Sequence, residues 1–195
     1  MIQGVEKFEQ VGERFARSVS NAEGFMADSP ISAGAEQVRY LRPPGSLPET
    51  LFQDACTRCG DCITACPANC ITVDEAGSHQ ATFPHILARQ SPCVVCTDLS
   101  CMKVCPTDAL SLLEVGQINM GYAVLNDMTC LRGPGGDQED CRLCIESCPR
   151  GEEAISVDQY HGIIEIRDGC IGCGVCEHAC PTDPASIWVE PRMDF

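Results

Sequence analysis

Apolar residues fall along this chain first in a helical rhythm and then in short strand-like pieces. Val5, Phe8, Val11, Phe15 and Val19 recur every three or four residues, with Glu6, Lys7, Glu9, Glu13, Arg14 and Arg17 on the other side. That is the pattern of a short amphipathic helix, and a helix this short, marginal alone in water, is expected to lay its stripe on the protein's own body. From Asn21 to about Gln37 the composition turns to Ser, Ala, Gly and Pro30, a linker. Arg42-Pro43-Pro44-Gly45 predicts a rigid extended segment, followed by Leu47, Leu51 and Phe52. Beyond it, strand-like segments stand at Ile71–Val73, Ala109–Leu113, Ala154–Val157 and Ser186–Val189. Two more stand at Gln117–Asn126 and Gly162–Arg167, where Ile164 and Ile166 alternate with charged residues. Strand, turn, polar run, helical turn and strand recur four times, so an α+β chain with an internal duplication is expected. Its divisions are 1–40, helix and linker; 41–116, a first unit; and 117–195, a second.

Cysteines fill the gaps in that pattern. The last run, Cys170, Cys173, Cys176 and Cys180 with Pro181, has Cys-x2-Cys-x2-Cys-x3-Cys-Pro spacing, repeated by Cys56, Cys59, Cys62, Cys66 and Pro67. Bacterial ferredoxins use this run to hold iron–sulfur clusters. Two variants lie between: Cys93, Cys96, Cys101 and Cys105 with Pro106, and Cys130, Cys141, Cys144 and Cys148 with Pro149.

Composition sharpens the reading. With 195 residues and 5% aromatics the hydrophobic core is thin, so cross-links must contribute. A disulfide framework fits poorly, because 17 cysteines is an odd number and no secretory apolar region is visible. Zinc is the stronger rival, although zinc ribbons separate two Cys-x2-Cys pairs by a long loop instead of stringing thiolates along one turn. A net charge of −15 with no basic run argues against nucleic acid, and suits either a basic redox partner or simple solubility. No apolar stretch approaches the 18 or so residues of a transmembrane helix.

In two-cluster ferredoxins the fourth cysteine of each run ligates the other cluster. On that rule the expected sets are Cys56, Cys59, Cys62 with Cys105; Cys93, Cys96, Cys101 with Cys66; Cys130, Cys141, Cys144 with Cys180; and Cys170, Cys173, Cys176 with Cys148. The ten-residue loop Leu131–Asp140 brings Cys130 in from the side. The fold expected is thus two tandem bacterial-type 2[4Fe-4S] ferredoxin modules with an N-terminal helical extension.

Cys70, the remaining cysteine, aligns with Ala109 in the repeat and is read as a small buried apolar residue. His79, His85, His161 and His178 show no metal-ligand spacing, His178 being expected as an exposed helical residue, and Trp188 is expected to pack in the terminal strand. No haem-attachment, radical-enzyme, P-loop or dinucleotide motif occurs, and Gly133-Pro134-Gly135-Gly136 reads as a flexible loop.

Leu41-Arg-Pro-Pro-Gly45, the Cys93–Pro106 variant, Met120-Gly-Tyr-Ala-Val-Leu125 and Cys141-x2-Cys144-x3-Cys148 together resemble the MauM/NapG family of ferredoxin-type proteins over about residues 40–190. The resemblance implies four 4Fe-4S clusters and electron transfer without a substrate site. It also implies redox partners, typically a membrane quinol dehydrogenase as donor and a periplasmic molybdoenzyme as acceptor. A maturation factor for a redox enzyme's metal cofactor is the alternative. Family members usually carry a twin-arginine export signal before the Arg-Pro-Pro-Gly segment. Here Arg14 and Arg17 are not adjacent, so a cytoplasmic location is expected, with export on a signal-bearing partner as the other route.

Overall fold

The computed structural model describes residues 39–193, and the expected N-terminal helix and the linker lie outside the described residues. Five short α-helices are assigned there: α1 (Glu49–Ala55), α2 (Asp61–Ala65), α3 (Ser100–Lys103), α4 (Leu143–Glu146) and α5 (Val175–Ala179). Between them run β1 (Ile71–Thr72), β2 (His85–Ile86), β3 (Gly121–Leu125), β4 (Ile155–Val157), β5 (Ile164–Ile166) and β6 (Ile187–Pro191). Helices of four to seven residues cannot stand on hydrogen bonding alone, so their stability is tertiary.

The strands pair antiparallel in three ribbons, β1 with β2, β4 with β5, and β3 with β6. The longest runs from Gly121 opposite Pro191 to Leu125 opposite Ile187, and joins the two ends of the second half. The first half closes by a matching route with fewer bonds. Leu47 N–H donates to the Ala109 carbonyl at 3.1 Å, as Asn126 N–H donates to that of Ser186 at 2.8 Å. Ala109–Leu113 therefore makes only an isolated bridge, Leu110 opposite Ser46, where a strand was expected. The proline pair at 43–44 shortens the ladder, since proline donates nothing to it. β2 was not anticipated, because two residues carry no readable alternation.

Two groups of buried side chains make the core. One gathers Phe52, Ile71, Phe83, Ile86 and Leu110, and reaches past residue 117 to take in Ile118, Met120 and Ile171. The other holds Ala123, Ile145, Ile155, Ile164 and Ile187. Arg42 is the buried cation of the first. Its Nη1 donates to the carbonyls of Phe83 and Pro84, both at 3.1 Å, and its Nε donates to the Glu49 carboxylate at 2.8 Å. Burial acts to raise the Glu49 carboxyl, but the bonds from Arg42 and Gln53 outweigh it and hold the group below its ordinary value. A buried charge so fully partnered fixes the extended segment before the first cysteine run.

The loop 131–140 is tightly folded, contrary to the flexible reading. Gly133 and Gly136 lie where an added Cβ would stand 1.7 Å from the Asp127 carbonyl oxygen and 2.0 Å from that of Leu131. Gln138 N–H closes it on the Leu131 carbonyl at 2.9 Å. Trp188 lies in β6 opposite Val124, as a strand residue, but its ring is on the exposed side.

Candidate metal centres

Four cavities in the described residues are walled by cysteines, four in each of three and five in the second, where Cys70 joins the wall. Cys56, Cys59, Cys62 and Cys105 line the first, and Cys66, Cys93, Cys96 and Cys101 the second. Cys148, Cys170, Cys173 and Cys176 line the third, and Cys130, Cys141, Cys144 and Cys180 the fourth. The structure thus brings together the residues of each set expected from the sequence. Counting space open to solvent, the first encloses about 340 Å³ and the others about 350 Å³ each. Among the described residues no three Cys, His, Asp or Glu side chains converge closely enough to hold a single ion. Zinc would need four sulfurs at about 2.3 Å from one centre. Four thiols around a wide cavity instead fit a polynuclear 4Fe-4S cluster, whose irons each take one thiolate.

The helical turns explain the crossing. α2 carries Cys62 in its body and Cys66 at its C-terminal cap, four residues on and thus about 6 Å along the axis. Cys62 faces the first cavity and Cys66 the second. α5 does the same with Cys176 and Cys180, facing the third and fourth. In both runs the last cysteine thus faces the neighbouring cavity and not that of the three before it. Left-handed residues shape the turns before these helices, Arg58 (φ 57°) and Gly60 (φ 83°) in the first run and Gly172 (φ 70°) and Gly174 (φ 84°) in the last. Val95, at φ 51°, adopts the same conformation despite its branched Cβ, a strained choice that the surrounding contacts must enforce.

Electrostatics in the cavities disfavour bare thiolates. Burial pushes the Cys62 and Cys144 thiols up to about 11, and Cys101 and Cys173 up to about 12. Neighbouring thiolates add to each rise. Metal binding must therefore expel protons, and the thiolates are stabilised by iron. At Cys180 burial also acts upward, but bonds from the Thr182 hydroxyl and from nearby backbone amides outweigh it and lower the thiol. The Cys180 Sγ and Thr182 Oγ1 atoms lie 3.1 Å apart.

The second and third cavities abut. Cys93 N–H donates to the Cys173 carbonyl at 3.0 Å, and Met120 N–H to that of Ile171 at 3.0 Å. Arg89 clamps the junction from the side, its Nη1 donating to the carbonyls of Glu177 at 2.7 Å and Cys180 at 2.8 Å, and its Nη2 to that of Thr182 at 3.0 Å. His178, exposed as expected, returns a contact through Nδ1 to the Arg89 carbonyl at 2.9 Å. Arg89→Ala is expected to loosen this clamp by about 1 kcal/mol, given its exposure. Amide hydrogen exchange at residues 176–182 should then quicken about fivefold, with exchange in the β1–β2 ribbon unchanged.

Cys70 is buried, as its alignment with Ala109 suggests, but it also lines the second cavity with its Sγ 3.5 Å from that of Cys66. A hydrogen bond shared with Cys93 brings that thiol down to about 7 and pushes Cys70 up. The sequence reading passed over this contact, and over the cavity-lining residues two positions after each run's last cysteine. Their regular place behind Cys-Pro was the available signal.

Comparison with known proteins finds 4Fe-4S domains in both halves of the chain. The 4Fe-4S dicluster domain family matches residues 55–109, and the 4Fe-4S binding domain family matches residues 163–185. The methylamine utilization ferredoxin-type protein MauM of Methylorubrum extorquens is 38% identical over 174 residues, covering 83% of this chain and 77% of its own length. Paracoccus denitrificans MauM is 36% identical, over 84% of this chain and 75% of its own. The ferredoxin-type protein NapG of Escherichia coli is 35% identical over 199 residues, covering 91% and 84%.

Proposed function

This chain belongs to the MauM/NapG family of ferredoxin-type iron–sulfur proteins, which transfer electrons and are not catalytic enzymes, and from that premise we propose that it is a four-cluster relay built of two tandem dicluster modules. The supporting observation is that the four cysteines of each expected set wall one cavity apiece, with Cys70 as a fifth thiol in the second. Cys56, Cys59, Cys62 and Cys105 would hold the first cluster, and Cys66, Cys93, Cys96 and Cys101 the second. Cys148, Cys170, Cys173 and Cys176 would hold the third, and Cys130, Cys141, Cys144 and Cys180 the fourth. Each cluster, when bound, supplies reversible one-electron chemistry at a potential set by hydrogen bonds, charge and burial.

The chain's own contribution is order. α2 and α5 each span the two sites of a module, and the Cys93–Cys173 backbone bond joins the second site to the third. The sites therefore follow one another as first, second, third, fourth, and the Arg89 clamp maintains the middle step. No helix of the described residues is long and apolar enough to cross a membrane. In this proposal the protein serves a larger oxidoreductase as a subunit or partner, of the type that passes electrons from a quinol dehydrogenase to a molybdoenzyme. The acidic surface, net −15 over the chain, suits a basic docking face.

Anaerobic purification from native cells, with iron and sulfide counted in the same sample, tests the reading. About sixteen irons per chain and a stoichiometric oxidoreductase partner are expected. About eight irons would overturn the four-cluster reading, and transient association with assembly factors would favour the maturation role.

A further inference from the structure

We propose that Arg150 sets the reduction potential of the third cluster, held by Cys148, Cys170, Cys173 and Cys176, and makes it the most readily reduced of the four. The inference rests on the four-cluster reading above. Each run ends in Cys-Pro-x, and the four x residues are Ala68, Thr107, Arg150 and Thr182. Each lines the same cavity as the cysteine before it. Alanine brings no donor. The threonines bring neutral hydroxyls, 3.8 Å from Cys105 Sγ and 3.1 Å from Cys180 Sγ. Only the third cavity receives a cation at this position.

Arg150 carries a second mark of the same role. Its Nε is buried without a hydrogen-bond partner among the described residues. A buried guanidinium N–H left unpaired is costly, and such a group calls for a partner that the protein atoms do not supply. A thiolate or sulfide of the third cluster, in the cavity that Arg150 lines, is that partner. Arg58 also lines a cavity, the first, but it is exposed and engaged elsewhere, with its Nη1 3.3 Å from the Thr82 hydroxyl and its guanidinium 5.0 Å from the Phe83 ring centre.

Reduction adds one electron to the cluster and makes it one unit more negative, with no bond formed or broken. A donor N–H and a positive charge beside it stabilise that more negative state, so the potential rises. Glu153 opposes this, since its carboxylate pairs with Arg150 Nη2, but its side chain is 69% exposed and largely screened.

The test is a dithionite redox titration of the cluster-loaded full chain, followed by electron paramagnetic resonance, with iron counted in every sample. Arg150→Gln should lower the most positive midpoint at least tenfold in reduction equilibrium constant, 59 mV for one electron, and leave the others in place. Glu153→Gln should raise the same midpoint, and Arg150→Lys, which keeps the charge but lacks Nε–H, should lower it less than glutamine does. The signal that moves should be the one lost in Cys173→Ala. Unmoved midpoints in a chain with all four clusters would overturn the proposal, as would shifts of the same sign in Arg150→Gln and Glu153→Gln. Fewer than about sixteen irons in the unsubstituted chain would overturn the four-cluster reading instead. If Arg150→Gln fails to load, Glu153→Gln alone decides by raising or not raising the highest midpoint.

Discussion

Cys148→Ala should abolish the cluster of the last cysteine run and spare the one built on its own neighbours. Anaerobic preparations of the variant are expected to hold about twelve irons instead of about sixteen. The missing resonance should be the one also missing in Cys173→Ala, while the signal lost in Cys144→Ala persists. The reason lies in α4: Cys144 lines the fourth cavity, and Cys148, four residues later, lines the third. A chain that kept the Cys170–Cys176 cluster and lost that of Cys130, Cys141 and Cys144 would show each run closing on itself. Cys148 gives a cleaner test than Cys66, whose neighbour Cys70 places another thiol 3.5 Å from its sulfur in the same cavity.

Gly172→Ala should be nearly as damaging, although it removes no ligand. Gly172 has φ 70°, and an added Cβ would stand 2.5 Å from the Gly121 nitrogen and 2.6 Å from its carbonyl atoms. All three atoms belong to backbone, so none can swing aside as a side chain does. The neighbouring residues are pinned as well, Ile171 through its carbonyl to Met120 N–H and Cys173 through its carbonyl to Cys93 N–H, both at 3.0 Å. The left-handed conformation costs alanine about 1–2 kcal/mol and the overlap about 1–3 kcal/mol more. We expect a loss of about 2–5 kcal/mol in stability, read by denaturant unfolding of the loaded protein, together with a third cluster lost before the first on mild oxidation. Gly60→Ala is the control. It shares the positive φ, 83°, but nothing lies within 4 Å of its added Cβ, so only the conformational part of the cost should appear.

Different parts of this molecule were legible from different distances. Spacing identified the runs, because three thiolates at i, i+3 and i+6 and a terminating proline are a local property of the chain. The strands at Ile155–Val157, Ile164–Ile166 and Ile187–Pro191 were legible for the same reason, in alternation or short β-branched runs. The β1–β2 ribbon was only half seen, since His85–Ile86 is two residues long and is held by Leu41 and Ile71 from elsewhere in the chain. Gly133-Pro134-Gly135-Gly136 misled for a related reason. Glycine permits both a mobile loop and a close backbone approach, and only the positions of the Asp127 and Leu131 carbonyls select the second.

By itself the sequence determined the donor set and the fourfold repeat, for these depend on residue type and on neighbours within a turn of helix. Tertiary structure decided what each sulfur faces and what stands beside it. The Cys93–Cys173 bond, the Arg89 clamp, the Cys66–Cys70 contact and the unpartnered Nε of Arg150 depend on through-space placement that no periodicity encodes. The number of ligands is thus a local property, while their order in space and their electrostatic surroundings belong to the packed chain.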